Sequence, residues 1–263
     1  MRAAHSVIKN TSVLFLAQVL SQGLGVVYVG ALARYVQSAG IGKIATATSV
    51  VSLVIGIVAF GLSELVIRDV AADKSRAGPY VVNALTVRGL LSLIFFVLIV
   101  VVAHLSGYPQ DTRRIIYVYG LAYIFDNLAD VQFAVFRAFE KMEYEALLQT
   151  GRSLVNITLS LVAIFFEADL LVIVAVSAFA SLVKLSASLL VLRTKFVKPR
   201  LRVNWALAGR LFVLALPFAS MVIVNVVNHQ INTWVLSLYH PEEVVGWFSS
   251  SSILITYLLL IPQ

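Results

Sequence analysis

The chain has 263 residues, 60% of them hydrophobic and 13% charged, with a mean hydropathy of +0.94. Soluble domains carry roughly 45–50% apolar and about 25% charged residues, so this composition excludes an ordinary globular protein and points to a bilayer. The net charge of +7 is no nucleic-acid signature, because Lys and Arg stand at the ends of apolar runs, where they orient helices; zero cysteines exclude disulfides, thiolate metal sites and palmitoylation, and four scattered His offer no metal grouping.

In chain order, a short basic start leads into an apolar run over about residues 11–33, longer than a signal-peptide core and followed by further spans, which reads as a retained first helix. Gln18, Ser21, Gln22 and Gly25 recur on it at helical spacing, a face turned to other helices or to water. Arg34 and a turn at Gly40 to Gly42 are expected to end it. A second span covers about residues 43–63, with Ser49, Ser52 and Gly56 as a small-residue seam. The polar connector GLSELVIRDVAADKSRAGPY follows from Gly61, its first half readable as a helix along the membrane surface. Span three, about residues 81–103, holds Arg88 one or two turns inside, within snorkelling reach of the headgroups.

Span four, about residues 115–136, carries two carboxylates, Asp126 and Asp130, and emerges into FRAFEKMEYEALLQTGR. A four-residue spacing places both on one helix face about 6 Å apart along the axis. Phe133, Arg137 and Lys141 extend the same stripe. Span five, about residues 146–166, carries Arg152 and Asn156, and span six, about residues 171–192, puts Ser177, Ser181, Lys184 and Ser188 on one stripe. The basic segment at residues 194–211 is the expected connector between a first six-helix bundle, residues 1–193, and the start of a second, residues 212–263. Span seven, about residues 212–236, has Pro217 as a kink and then Asn225, Asn228, His229 and Asn232 on one face; span eight begins near Val244. The fold class is therefore an all-α polytopic membrane protein of about eight transmembrane helices.

With the N-terminus inside, Arg34, Lys43, Arg113 and Arg114 fall outside, Lys184 lies mid-span, and the remaining fifteen of the 20 Lys and Arg fall inside, the bias expected of a multi-pass cell-membrane protein with a cytoplasmic N-terminus. Counting at 1.5 Å per residue, Asp126, Asp130 and Lys184 lie roughly 16, 22 and 20 Å into spans four and six. Unpaired charge at that depth is costly, so the three are expected to form one buried cluster.

The segments NTSVLFLAQVLSQGLGVVYVGALARYVQSAGIG from Asn10, GLSELVIRDVA at Gly61, FRAFEKM at Phe136, ALPFA at Ala215, QINTWVLSLY at Gln230 and EVVGWFSSSSILITYLLLIP at Glu243 resemble the Wzx-type O-antigen flippase family of the multidrug/oligosaccharidyl-lipid/polysaccharide exporter superfamily. The resemblance runs through essentially the whole chain. It implies two six-helix bundles around a cavity that opens to either side in turn, moving a polyprenyl-phosphate or pyrophosphate-linked oligosaccharide, in many members coupled to protons or sodium. On that template the chain is expected to hold the first bundle and two helices of the second, a truncated form. Asn232 stands where relatives often carry an acid.

Such a transporter needs a polar route through hydrocarbon. Gln18, Gln22, Asn225, Asn228 and Asn232 are candidates for its lining. Arg88 and Arg152 are candidates to attract an anionic head, with anchoring at the inner interface as the other reading. Asp126, Asp130 and Lys184 are candidates for ion coupling, with plain structural pairing as the other. An exporter of drugs or cations is the alternative. A membrane-embedded glycosyltransferase is disfavoured, since the connectors are under about 20 residues and hold neither a paired-acid metal motif nor a nucleophile with its base. The expected partners are lipid-linked oligosaccharide, membrane lipid, and a proton or sodium ion, with no cofactor and no nucleic acid.

Overall fold

The structure, a computed structural model, describes residues 2–56, 61–197 and 202–259. Among these the chain is helical and has no strand. Helix α1 (Arg2–Gly56) has two arms, residues 2–36 and 38–56, joined at Gln37 (φ 57°, ψ −171°). Six helices of ordinary form and a shorter one complete the order: α2 (Leu62–Ala72), α3 (Ala77–Leu105), α4 (Gln110–Ala138), α5 (Met142–Phe165), α6 (Leu170–Val191), α7 (Trp205–Tyr239) and α8 (Glu242–Leu259). The two arms of α1, with α3 to α8, correspond to the expected spans. Three stretches are long and apolar enough to cross a membrane by composition: Lys74–Leu105, Met142–Phe165 and Leu170–Phe196. Helix α4 departs from that pattern because it carries Asp111, Arg113, Arg114, Asp126, Asp130 and Arg137.

The expected turn at Gly40 to Gly42 is corrected: the chain reverses at Gln37, and both glycines are helical in the second arm. Glycine at 40 serves closeness rather than torsion, since a Cβ there would lie 2.5 Å from Val36 Cβ. Gln37 itself occupies backbone space nearly reserved for glycine, at a cost of order 1–3 kcal/mol. The surface-helix reading of α2 is also corrected. Its Leu62, Ser63, Leu65, Val66 and Val70 are buried, against α3, α4 and α7. An amphipathic stripe has the same period whether lipid or protein covers it, so periodicity did not separate the two.

Chain reversals at Gln37, Ser106 to Pro109, Phe166 to Asp169 and His240 to Pro241 gather at one end, tied there by Tyr35 OH donating to the Ala168 carbonyl (3.0 Å) and by Tyr108 OH meeting Ser237 Oγ (2.7 Å). We call this the Gln37 end. The Arg137 end is the opposite one. There Phe136, Tyr144 and Phe196 stack around the exit of α4, with Phe136 and Phe196 centroids 4.9 Å apart. Asn83, fully buried, accepts from the Asn204 N–H (2.8 Å) and so holds the entry of α7.

The apolar core is divided. One cluster, with Val50, Val51, Ile99 and Ile116, lies towards the Gln37 end. Another, with Val66, Val81, Phe133 and Phe136, lies towards the Arg137 end. Between them, the middle of α4 from Tyr117 to Leu128 buries only Gly120 and Ala122, a polar waist inside the bundle. Helix α3 turns Leu93, Ile94 and Val97 outward, each more than half exposed, as a lipid-facing stripe requires.

Helix α5 ends with the Ala168 N–H on the Ala163 carbonyl (2.9 Å) and Glu167 at φ 52°, the left-handed slot of a helix stop that normally takes glycine. Glu167→Gly is expected to raise stability by about 1 kcal/mol, read as a higher midpoint of thermal unfolding in detergent.

Candidate functional site

The polar waist is built by three helices. Helix α4 supplies Asp126, α5 supplies Arg152, and α6 supplies Lys184 and Ser181. Asp126 Oδ1 lies 2.7 Å from Lys184 Nζ, and its Oδ2 lies 3.0 Å from Arg152 Nη2. Arg152 Nε donates to Ser181 Oγ (3.1 Å), so the guanidinium is held from two helices. The Lys184 side chain is 4% exposed, against 26% for Asp126 and 27% for Arg152. Lys184 is thus the buried anchor, packed 5.4 Å from the Phe133 ring centroid, while the other two remain open to solvent. Two cations against one carboxylate leave this triad with an excess positive charge.

The expected cluster of Asp126, Asp130 and Lys184 is therefore drawn differently. Lys184 pairs with Asp126, Arg152 enters as a third member, and Asp130 makes no ion pair within 4.0 Å among the described residues. Asp130 lies one turn further towards the Arg137 end, half-buried, in the electrostatic field of Arg88, Lys184 and Asp126. Helical spacing put both carboxylates on one face correctly. It did not say how the facing helices were rotated, and that rotation selects the partner.

Arg88 does not snorkel to an interface. It is 4% exposed, its Nη1 donates to the Asn127 carbonyl (2.5 Å) and its Nη2 donates to Ser63 Oγ (2.8 Å). Its guanidinium thereby joins the first turn of α2 to the middle of α4. Arg137 is tied to Glu145, with Nε 2.8 Å from Oε2, and Lys141 lies beyond the end of α4, 3.3 Å from Glu143, so the basic stripe stops at Arg137.

The side chains of Gln18, Gln22 and Asn225 lie outside the described residues. Asn228 and His229 are exposed on α7. Asn232 lines an open recess of about 550 Å³ with Val235, Leu236, Tyr239, His240 and Phe248, near the Gln37 end rather than at the triad. Residues that the sequence did not single out also converge on the waist. Tyr119 lies in the electrostatic neighbourhood of Arg152 and of Tyr123, whose OH accepts from Ser52, a member of the expected small-residue seam on the second arm of α1 (3.1 Å). Their only advance signal was a tyrosine pair at four-residue spacing on α4, which an interfacial belt also produces.

A match to the family described as "Polysaccharide biosynthesis protein" covers residues 7–261. The chain belongs to the polysaccharide biosynthesis protein family. The family description and the apolar helices together place the chain among multi-pass membrane proteins of polysaccharide biosynthesis. A solved chain named "protein A" shares the fold with this family member at TM-score 0.68 and 17% identity, over 97% of this chain. The present chain spans 60% of that chain's length. No curated protein matches it.

Proposed function

We propose that the chain belongs to a flippase that carries a polyprenyl-phosphate or pyrophosphate-linked oligosaccharide across the cytoplasmic membrane by alternating access, with its N-terminus cytoplasmic. The observation that carries this reading is the net-positive triad of Asp126, Arg152 and Lys184, in which Asp126 and Arg152 stay partly exposed, in the middle of a mainly apolar bundle. A bilayer tolerates such charge where it faces a water-filled path. The excess cation favours an anionic headgroup and disfavours the cationic drugs that a multidrug exporter takes. In this reading residues 1–193 form one bundle, residues 194–211 its basic connector, and residues 212–263 the beginning of the opposing bundle.

The residue roles follow from access. Arg152, with one edge on Ser181 and part of its surface in solvent, meets the phosphate. Arg88 is buried, with both terminal nitrogens engaged, and positions α2 against α4. Asp126 is already neutralised by two cations, whereas Asp130 has no ion-pair partner within 4.0 Å among the described residues and is the carboxylate that takes the coupling proton or sodium ion. Asn228 and Asn232 line the path beyond, and Gln18, Gln22 and Asn225 are assigned to it from the sequence pattern.

The test is leaflet exchange of a fluorescent polyprenyl-pyrophosphate sugar in proteoliposomes holding the full-length protein. Exchange is expected to exceed that of empty liposomes and to rise with an imposed proton or sodium gradient, and Asp130→Asn is expected to remove the gradient dependence. Absence of exchange with any carrier, together with efflux of a cationic dye, would replace this reading by the drug exporter.

A further inference from the structure

The cations at the Arg137 end fall into two groups that counting along the chain did not separate. Those between α2 and α5 are answered locally: Arg68 lies 2.8 Å from Asp69, Arg76 lies 3.0 Å from Asp73, Lys141 lies 3.3 Å from Glu143, and Arg137 is tied to Glu145. Those that follow α6 are not. Arg193, Lys195, Arg202 and Arg210 are all exposed, and none has a carboxylate within 4.0 Å among the described residues. The cause is in the chain itself, since no Asp or Glu occurs between Asp169 and Glu242 while residues 193–210 carry six Lys and Arg.

Packing pins this charge to one face of the molecule. On the α6 side, Phe196 is stacked among Phe136, Phe139 and Tyr144. Val197 then meets the first turn of α3, where a Cβ on Gly78 would stand 3.2 Å from its Cγ1. On the α7 side, the fully buried Asn83 accepts the Asn204 N–H at 2.8 Å, and Asn204 in turn caps α7 by accepting the Leu207 N–H at 3.1 Å. Gly78 and Asn83 are about 7.5 Å apart along α3, so both arms are fastened to the same end of one helix.

What lies beside the charge identifies the surface it meets. Trp205 is 66% exposed and Val203 41%, and Val213, Leu214 and Leu216 continue the exposed side of α7 as an apolar face. From Trp205 past Arg210 to Val213, about 12 Å along the axis, the helix surface changes from aromatic and basic to apolar. That is the order of environments from a headgroup layer into hydrocarbon, with the Arg210 stem able to reach back along the apolar side. An acidic protein partner would account for the cations and not for this gradient.

We propose that residues 193–210 form a binding surface for anionic phospholipid headgroups of the leaflet at the Arg137 end, with Arg193, Lys195, Arg202 and Arg210 meeting lipid phosphate and Trp205 setting the depth at which α7 enters. Unpaired Lys and Arg clustered at the end of transmembrane helices attract anionic lipid, whereas cations already neutralised by a neighbouring carboxylate do so weakly. Such a surface serves the protein whatever molecule is transported, so its test involves no transport assay.

Full-length protein reconstituted in phosphatidylcholine vesicles with trace spin-labelled lipid reports, through the motionally restricted fraction of the electron spin resonance spectrum, which headgroup gathers around it. Spin-labelled phosphatidylglycerol is expected to be held several-fold more strongly than spin-labelled phosphatidylcholine, and the preference is expected to shrink as salt is raised. Arg202→Gln with Arg210→Gln, and Arg68→Gln with Arg76→Gln, remove the same charge from the same end; only the first pair is expected to lower the preference several-fold. Arg193→Lys, Arg202→Lys and Arg210→Lys together are expected to keep it, which separates lost charge from a disturbed fold. Equal loss in the two glutamine pairs would overturn the site and leave only the net charge of that end. A parent protein without preference for phosphatidylglycerol would overturn it outright. No preference for phosphatidylglycerol beside a strong one for spin-labelled polyprenyl phosphate would also overturn it, making the segment a loading surface for a carrier lipid.

Discussion

Asp126→Ala is expected to destabilise the protein by roughly 3–5 kcal/mol and to abolish transport, because it strips Lys184, 4% exposed, of the one anion within 4.0 Å of it among the described residues. The cost is set by what remains rather than by what is lost. A paired buried charge contributes little net stability, whereas an ammonium left alone between packed helices keeps its whole desolvation penalty. The second variant decides between that account and a simple cavity. Lys184→Met in the Asp126→Ala background removes the orphaned charge while filling its volume, and is expected to return most of the lost unfolding midpoint. Arg152 keeps its bond to Ser181 in both variants, so recovered stability without recovered transport would place the role of Asp126 in handling the substrate or the ion. An Asp126→Ala protein as stable as the parent would show that Lys184 is solvated in the folded state and that the triad is not a buried pair.

Arg88→Met is the second large effect, also about 3–5 kcal/mol, and it acts through α2. The guanidinium reaches Ser63 and the Asn127 carbonyl with separate nitrogens, 2.8 and 2.5 Å away, and both acceptors lose a donor when it is removed. Its charge also acts on Asp130 and Glu64, so both carboxylates lose part of their favourable electrostatic surroundings. Arg88→Lys is expected to recover little, because a single ammonium cannot span two acceptors on different helices as the planar fork does. Thermal unfolding in detergent gives the size of the loss. Limited proteolysis gives its place: cleavage is expected first around residues 61–73, where α2 depends on Ser63 for its hold on α4. Early cleavage elsewhere, or rescue by lysine, would mean that Arg88 contributes charge alone.

Much of the fold was legible in the residues. Apolar runs of transmembrane length separated by short polar turns gave eight spans, and the structure places helices on all of them. The two carboxylates of α4 and Lys184 of α6 were placed at one depth by counting, and Asp126 and Lys184 do meet. The errors share a cause. Arg88 was read as snorkelling, α2 as a surface helix and Gly40 to Gly42 as a turn because each reading used a helix by itself. In the structure each is decided by a neighbour: Ser63 and Asn127 for Arg88, α4 and α7 for α2, and the Val36 side chain and the Glu242 backbone for the glycines. The contact of Glu242 with Lys43 and Thr112 was invisible for the same reason, since the three stand 69 to 199 positions apart in the chain and share no period.

By itself, then, the sequence determined that this is a helical membrane protein, where its helices run, and that Asp126 and Lys184 stand level with each other, because hydropathy and helical rise are local properties repeated every few residues. Tertiary structure alone decided that Arg152 completes the triad, that Asp130 is left without an ion pair among the described residues, and that Glu242 crosses to the first half of the chain. Pairing depends on how each helix is rotated about its axis and how closely two backbones approach. Those quantities are fixed by packing among all the helices together, and no single stretch of the chain contains them.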